Sequence, residues 1–169
     1  MECKPILDDL KKSCLIEGMK ATMLTLFAIS LSLLGADTKE VNIKTLQKRG
    51  KVGSELAYLP NQVTPFTGKA VQCAANGQKI LEENYKDGEL WLRARWDSSG
   101  QKRGIRNFKN RKIHGPWVSW YGNGQKKDEG NYVEQKQDGF WTRWSENGQK
   151  KLEGNYKFGF LMSVKVWKP

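Results

Sequence analysis

The stretch NGQKKDEGNY at residues 123–132 returns almost unchanged as NGQKKLEGNY at residues 147–156. Two earlier copies of its opening phrase read NGQK at 76–79 and SGQK at 99–102. The glycines of the four copies stand at positions 77, 100, 124 and 148, so the period is 23, 24 and 24 residues. A fixed period of this size indicates one supersecondary unit that is repeated and stacked on itself.

Aromatic residues keep the same period as the glycines. Asn followed by an aromatic residue comes seven residues after each glycine, at Asn84-Tyr85, Asn107-Phe108, Asn131-Tyr132 and Asn155-Tyr156. Trp lies four residues before three of the glycines, at Trp96, Trp120 and Trp144. Two more, Trp117 and Trp141, lie three residues earlier again. Asn-Gly between aromatic-rich runs predicts a β-hairpin with a type I′ turn, in which both central residues have positive φ.

The period therefore predicts an all-β fold of tandem hairpins. One hairpin has strands over roughly Lys126–Val133 and Phe140–Ser145, separated by the polar loop Glu134–Gly139. Trp141 and Trp144 are three residues apart, which breaks strict alternation along a strand. A bulge re-aims one ring, or both faces of the sheet carry aromatic residues. We favour a thin sheet with aromatics on both faces over a small barrel or sandwich that encloses every Trp.

The repeated pattern of Asn-Gly-Gln-Lys, Glu-Gly-Asn-Tyr, Asp-Gly and Trp-x-x-Trp resembles the bacterial variant of the MORN repeat. The stretches Tyr58–Pro60 and Pro65–Ala70 resemble the half-repeat that opens such arrays. The resemblance implies an elongated, twisted antiparallel meander over residues 56–169, with a half-repeat at 56–75 and repeats from 76, 99, 123 and 147. It implies no catalytic residues. Many bacterial members resemble antitoxin components of toxin–antitoxin pairs, and eukaryotic relatives are associated with membrane recruitment and scaffolding.

The amino-terminal segment, residues 1–36, has the features of a leader. Ala21–Ala36 is uncharged and largely apolar, and as a helix its sixteen residues would span about 24 Å, less than the roughly 30 Å of a bilayer core. This favours a helical signal peptide cleaved after Ala36 over an uncleaved anchor, with Met19 as a possible true start. Residues 37–55 are polar and basic and indicate a tether or a short edge element.

Catalytic motifs are missing from the sequence. The single histidine, His114, precedes Gly115-Pro116 and is expected to be a turn residue, and the three cysteines show no zinc spacing. The chain has no Gly-x-Ser-x-Gly elbow and no phosphate-binding loop. We therefore expect no enzyme activity, no cofactor and no small-molecule substrate.

The net charge of +11 comes entirely from residues 37–169, because the charges of residues 1–36 sum to zero. Basic residues directly follow the predicted turns: Lys79, Lys102, Arg103, Lys126, Lys127, Lys150 and Lys151. Stacking would align them into a basic edge, which serves either solubility and edge protection or binding. A protein partner is favoured, an anionic lipid or lipopolysaccharide surface is possible, and export argues against nucleic acid.

The sequence thus predicts a non-enzymatic, exported binding or scaffolding module in the periplasm or at the cell envelope. The alternative is a cytosolic antitoxin-like protein that neutralises a partner protein, which requires that the leader is not an export signal. In either case the repeated aromatic residues and turn lysines are the candidate surface: Trp96, Trp117, Trp120, Trp141, Trp144, Tyr85, Tyr132, Tyr156, Lys126 and Lys150.

Overall fold

A computed structural model describes residues 39–167, and the predicted leader lies outside them. The first elements are β1 (Glu40–Asn42), a 3-10 turn (Ile43–Thr45), β2 (Gln47–Arg49), β3 (Leu56–Tyr58) and β4 (Gly68–Cys73). The long strands are β5 (Lys79–Lys86), β6 (Glu89–Trp96), β7 (Lys102–Lys109), β8 (Lys112–Trp120) and β9 (Lys126–Val133). The last are β10 (Lys136–Gln137), β11 (Gly139–Trp144), β12 (Lys150–Lys157) and β13 (Phe160–Val166).

One open sheet contains eleven of these strands, in the order β1-β4-β5-β6-β7-β8-β9-β11-β12-β13, and neighbours from β4 onward pair antiparallel. The short β10 lies off this path and pairs with β9. The predicted all-β meander is confirmed, and its open strand order excludes the closed barrel. The sheet is mixed, because β1 adds to β4 in parallel. A second small sheet pairs β2 with β3. Within residues 39–167 no helix is long and apolar enough to cross a bilayer.

The Asn-Gly loops differ from the predicted type I′ turns. In the loop before β9, Gly124 N–H donates to Tyr121 O at 3.1 Å and Tyr121 N–H donates to Gln125 O at 2.8 Å. Gly124 has φ +85°, whereas Asn123 is not among the positive-φ residues. This is a three-residue loop in which a type I turn is followed by a left-handed glycine and a bulge. The Asn123 side chain accepts from Gln125 N–H at 3.0 Å, a local side-chain-to-backbone bond that stabilises the loop.

Two-residue turns with positive φ at both positions close the other ends of the hairpins. They lie at Asp87-Gly88, Asn110-Arg111, Glu134-Gln135 and Phe158-Gly159. The expected six-residue loop Glu134–Gly139 is therefore a tight turn at Glu134-Gln135 followed by β10, which pairs with β9. Only two of these four turns contain glycine, so the other two carry little turn signal in the sequence.

Successive loops on the Asn-Gly edge contact one another. Asn76 Nδ2 donates to Ser98 O at 2.9 Å, and Asn123 Nδ2 donates to Glu146 O at 2.7 Å. A Cβ placed on Gly148 would lie 3.0 Å from Gln125 Oε1 of the preceding loop. Each loop therefore reaches forward to the next one along the chain.

The two faces of the large sheet carry different residues. Cross-strand register aligns Glu83, Arg93, Arg106, Trp117, Gly130, Trp141 and Gly154 in one row. We call the face with this row the front face. Alternation places Trp96, Trp120 and Trp144 on the opposite side, the back face. The thin sheet with aromatics on both faces is the observed arrangement.

The buried core lies at the amino-terminal end of the sheet. Its buried members are Ala57, Phe66, Ala70 and Tyr85. Val41, Ile43 and Leu46 pack against this cluster from the segment that the sequence assigns to a tether. Within the described residues this segment therefore contains ordered elements: β1 is an edge strand, and the apolar side chains around the 3-10 turn cover the core.

Candidate binding surfaces

Lysines and tryptophans interleave on the back face. The first lysine after each loop lies over an indole ring, at 4.4 Å for Lys79 and Trp96 and 5.3 Å for Lys126 and Trp144. Lys150 lies 5.7 Å from the ring of Trp167. These distances allow cation–π attraction of about 0.5–1 kcal/mol each at exposed sites. The predicted aromatic and basic periodicities thus form one ladder.

Carboxylates complete this ladder. Lys79 Nζ lies 2.6 Å from Glu82, Lys126 Nζ lies 2.9 Å from Glu129, and Lys150 forms the equivalent ion pair with Glu153. Desolvation opposes ionisation of Glu82, but hydrogen bonds from Lys79 and Asn84 hold the pKa of Glu82 below its ordinary value. The charge of these three lysines is therefore largely balanced within the sheet. Among the described residues Lys102, Lys127 and Lys151 of the predicted basic edge form no ion pair, so the edge is only partly neutralised.

Four rings cluster on the front face. The ring centroids of Trp117 and Trp141 are 5.3 Å apart, and Tyr132 meets Trp141 edge-on at 5.0 Å. Tyr156 meets Trp141 edge-on at 6.5 Å. Trp141 is 6% exposed, and its indole N–H donates to Asn131 O at 3.1 Å. This cluster holds neighbouring hairpins together and has little area left for a partner at its centre.

Two glycines in the strands beside Trp141 make room for aromatic rings: Gly130 for Trp141 itself and Gly154 for Tyr156. Trp141 pairs in register with Gly154 of β12. The β11–β9 register, in which Thr142 pairs with Glu129, places Trp141 next to Gly130 when it is continued by one residue. A Cβ on Gly130 would overlap the indole of Trp141, and a Cβ on Gly154 would lie 2.8 Å from Tyr156 Cε2. The glycine in each Glu-Gly-Asn-Tyr phrase therefore leaves space against the backbone that an aromatic ring occupies.

A polar network on the front face was missed by the sequence analysis. The Tyr85 hydroxyl donates to Glu83 at 2.5 Å, Arg93 Nε donates to Glu83 at 2.7 Å, and Lys48 Nζ donates to the Tyr85 hydroxyl at 3.3 Å. Burial raises the pKa of Tyr85, and its bond to the Glu83 carboxylate raises it further. Burial lowers the pKa of Lys48. The network joins the small sheet to β5 and β6.

The last hairpin exposes large apolar side chains. Phe160, Met162 and Val166 of β13 are 65–72% exposed, and Phe140 of β11 is 77% exposed. The remaining members are Phe158, Leu161 and Val164. We call these seven residues the terminal apolar surface. Lys165 is the only charged residue of β13.

Histidine 114 lies within β8, so its assignment to a turn is wrong. Its Nδ1 is 3.9 Å from Glu134 Oε1. Among the described residues no three His, Cys, Asp or Glu side chains come together as metal ligands.

The ten candidate residues thus fall into three groups on two faces. Tyr85 belongs to the polar network and the core, where its ring lies 5.9 Å from Phe66. Trp117, Tyr132, Trp141 and Tyr156 form the front cluster. The back-face ladder contains Trp96, Trp120, Trp144, Lys126 and Lys150.

This architecture defines a β-repeat protein built from consecutive hairpins. Residues 113–134 and 137–158 each match the family model described as MORN repeat variant. Each matched segment contains two strands joined by an Asn-Gly loop, β8 with β9 and β11 with β12. No curated protein and no solved structure matches the chain.

Proposed function

We propose that this chain is a non-enzymatic, exported MORN-repeat protein that binds another protein through the terminal apolar surface and so works as a scaffolding module at the cell envelope. The observation that carries this proposal is the exposure of seven large apolar side chains at one end of the sheet. Register places Phe140 and Phe160 on the back face and Leu161 and Val164 on the front face, so these side chains surround the last hairpin. Exposed apolar side chains gathered at one end of a sheet, rather than scattered singly, are characteristic of protein–protein contact sites.

The distribution of charge favours a protein partner over an anionic surface. Binding to an anionic surface depends on free cations. On the back face Lys79, Lys126 and Lys150 are already paired with glutamates and stacked on rings. The terminal apolar surface instead has aromatic and methionine side chains, which are enriched at protein interfaces.

The front-face geometry gives this surface a rigid support. Leu161 pairs in register with Tyr156, and Val164 pairs with Gly154. Tyr156 in turn contacts Trp141. The front-facing apolar side chains of β13, Leu161 and Val164, therefore continue from the packed aromatic cluster, and a partner would dock against a preorganised sheet rather than a loop.

Capture of partners from the source cells by the tagged full chain tests this proposal. The bound protein, once identified, is purified and its affinity is compared for wild type, the double variant Phe160→Lys with Met162→Lys, and the control Lys127→Gln with Lys151→Gln. We expect the apolar variant to lose at least about tenfold in affinity, the control to stay within about twofold, and salt to have little effect.

The opposite pattern would overturn the proposal. If the lysine control loses affinity, binding falls steeply with salt and vesicles of anionic lipid bind as well, the partner is an anionic surface. Sequencing the amino terminus of the native protein tests export separately. A chain that begins at Asp37 supports cleavage of the leader, whereas an intact leader leaves the cytosolic antitoxin-like function as the alternative.

A further inference from the structure

Four arginines line a recess of about 200 Å³ on the front face, between the polar network and the aromatic cluster. Arg93 and Arg95 come from β6, and Arg103 and Arg106 come from β7. The far wall is formed by Trp117 and Ser119 of β8.

The register of three strands creates this recess. Arg95 pairs with Gly104, which pairs in turn with Ser119. A Cβ on Gly104 would have only Val118 O within 4 Å, at 3.6 Å, so the glycine leaves an open floor of bare backbone. The longer side chains around it stand as walls above this floor.

The charge in the recess is not balanced by the protein. Arg93 pairs with Glu83 at 2.5 Å, and Arg103 lies 3.9 Å from Asp97. Within residues 39–167 neither Arg95 nor Arg106 forms an ion pair with a carboxylate. Four guanidinium charges less two carboxylates leave +2.

The neighbouring acidic group does not supply the missing charge. Ser119 Oγ donates to Asp128 Oδ2 at 3.2 Å, and Asp128 is paired with Arg143 at 2.8 Å. In addition, Arg93 and Arg106 are direct cross-strand partners, and like charges in this position destabilise a sheet. A ligand of opposite charge would relieve this repulsion.

We propose that this recess binds a tetrahedral dianionic oxyanion, as a free phosphate ion or as the phosphate group of a small phosphomonoester. Arg95 and Arg106 are its principal ligands, because guanidinium groups bind phosphate oxygens through paired N–H donors. Trp117 would contact the organic part of a phosphomonoester. The site lies apart from the terminal apolar surface, so it is independent of the proposed protein binding.

Isothermal titration of the full chain with inorganic phosphate at constant ionic strength tests the proposal. Three variants are compared with wild type: Arg95→Gln with Arg106→Gln, Gly104→Val, and the control Lys127→Gln with Lys151→Gln. Gly104→Val fills the floor and keeps all four arginines. We expect one saturable site in wild type, a loss of at least about tenfold in affinity in the first two variants, and a change below about twofold in the control.

Phenyl phosphate distinguishes the two sources of the oxyanion. If phenyl phosphate binds more tightly than inorganic phosphate, and the Trp117→Leu variant loses this difference, the natural ligand is a phosphomonoester. If the two probes bind equally, the ligand is the free ion. Absence of saturable binding to either probe overturns the proposal. The proposal is also overturned if the lysine control loses as much phosphate affinity as the arginine variant, because the binding would then depend on diffuse positive charge. Thermal unfolding of each variant shows whether it is folded. If Gly104→Val does not fold, the arginine double variant still tests the proposal.

Discussion

At the scale of single residues, two glycines in the interior of strands have opposite roles. Gly130 faces the indole of Trp141 and leaves no room for a Cβ, whereas a Cβ at Gly104 would make one ordinary contact at 3.6 Å. Neither residue has a positive φ. The difference between them is therefore one of packing and not of backbone conformation.

Gly130→Ala should lower the free energy of unfolding by about 1–3 kcal/mol, because the added methyl displaces a packed indole. The matched change Gly104→Ala should leave stability unchanged or raise it by up to about 1 kcal/mol, since glycine weakens a strand. Urea unfolding followed by tryptophan fluorescence measures both. Equal effects of the two substitutions would show that Trp141 does not lie on Gly130.

At the scale of elements, the hairpins use two kinds of turn with different requirements. The Asn-Gly loops need one left-handed residue, which is glycine in every copy. The two-residue turns need two, and Gln135 occupies such a position with φ +69°. A non-glycine residue in this region is held there at a cost of about 1–2 kcal/mol.

Gln135→Gly should therefore raise the free energy of unfolding by about 0.5 kcal/mol, because relief of the left-handed strain exceeds the added entropy of the unfolded chain. Gln149→Gly is the matched control in an Asn-Gly loop, where Gln149 has no positive φ. It should lower stability by about 0.5–1 kcal/mol. Thermal unfolding by circular dichroism resolves the two signs, and two shifts of the same sign would contradict the turn assignment.

The same elements show what the sequence was able to predict. The strand expected over Lys126–Val133 is β9 with the same bounds, because its ends are marked by a glycine loop and a break in the aromatic pattern. The turn type was wrong, because a type I turn with a bulge and a type I′ turn use the same Asn-Gly signal and differ by one residue in the hydrogen-bond register. Register decides the site as well: the arginine recess depends on which residues face one another across three strands, and no local motif gives that.

At the scale of the whole molecule, burial is concentrated at one end. The buried cluster around Phe66 and Tyr85 lies beside the small sheet, whereas the later hairpins form a single layer held by rings and ion pairs. In such an array each hairpin is stabilised mainly by its neighbours, so stability is close to a sum over repeats and interfaces.

Deletion of residues 123–146 should leave a folded protein, because it joins Gly122 to Asn147 and keeps an intact loop between β8 and β12. In the shortened chain Trp117 would pair with Gly154, which replaces Gly130. The longest dimension measured by small-angle X-ray scattering should fall by about 10 Å, two strand spacings. The control deletes residues 123–134 alone, which is half a period, and this variant should not unfold cooperatively. If both deletion variants fold equally well, the 24-residue unit is not the structural repeat.

The forward hydrogen bonds between successive loops give the array a polarity. Asn76 and Asn123 each donate to a carbonyl of the loop that follows. Asn147, in the last loop, instead donates to Gln149 Oε1 of its own loop at 3.3 Å. A loop is thus completed by its successor, and loss of one hairpin leaves the preceding asparagine without its acceptor, at about 0.5–1.5 kcal/mol. Fraying from the β13 side would remove the acceptor of Asn123 first and that of Asn76 later, whereas fraying from the β4 side removes neither acceptor from a loop that remains. Unzipping of the array therefore has a preferred direction that its antiparallel strand pairing does not provide.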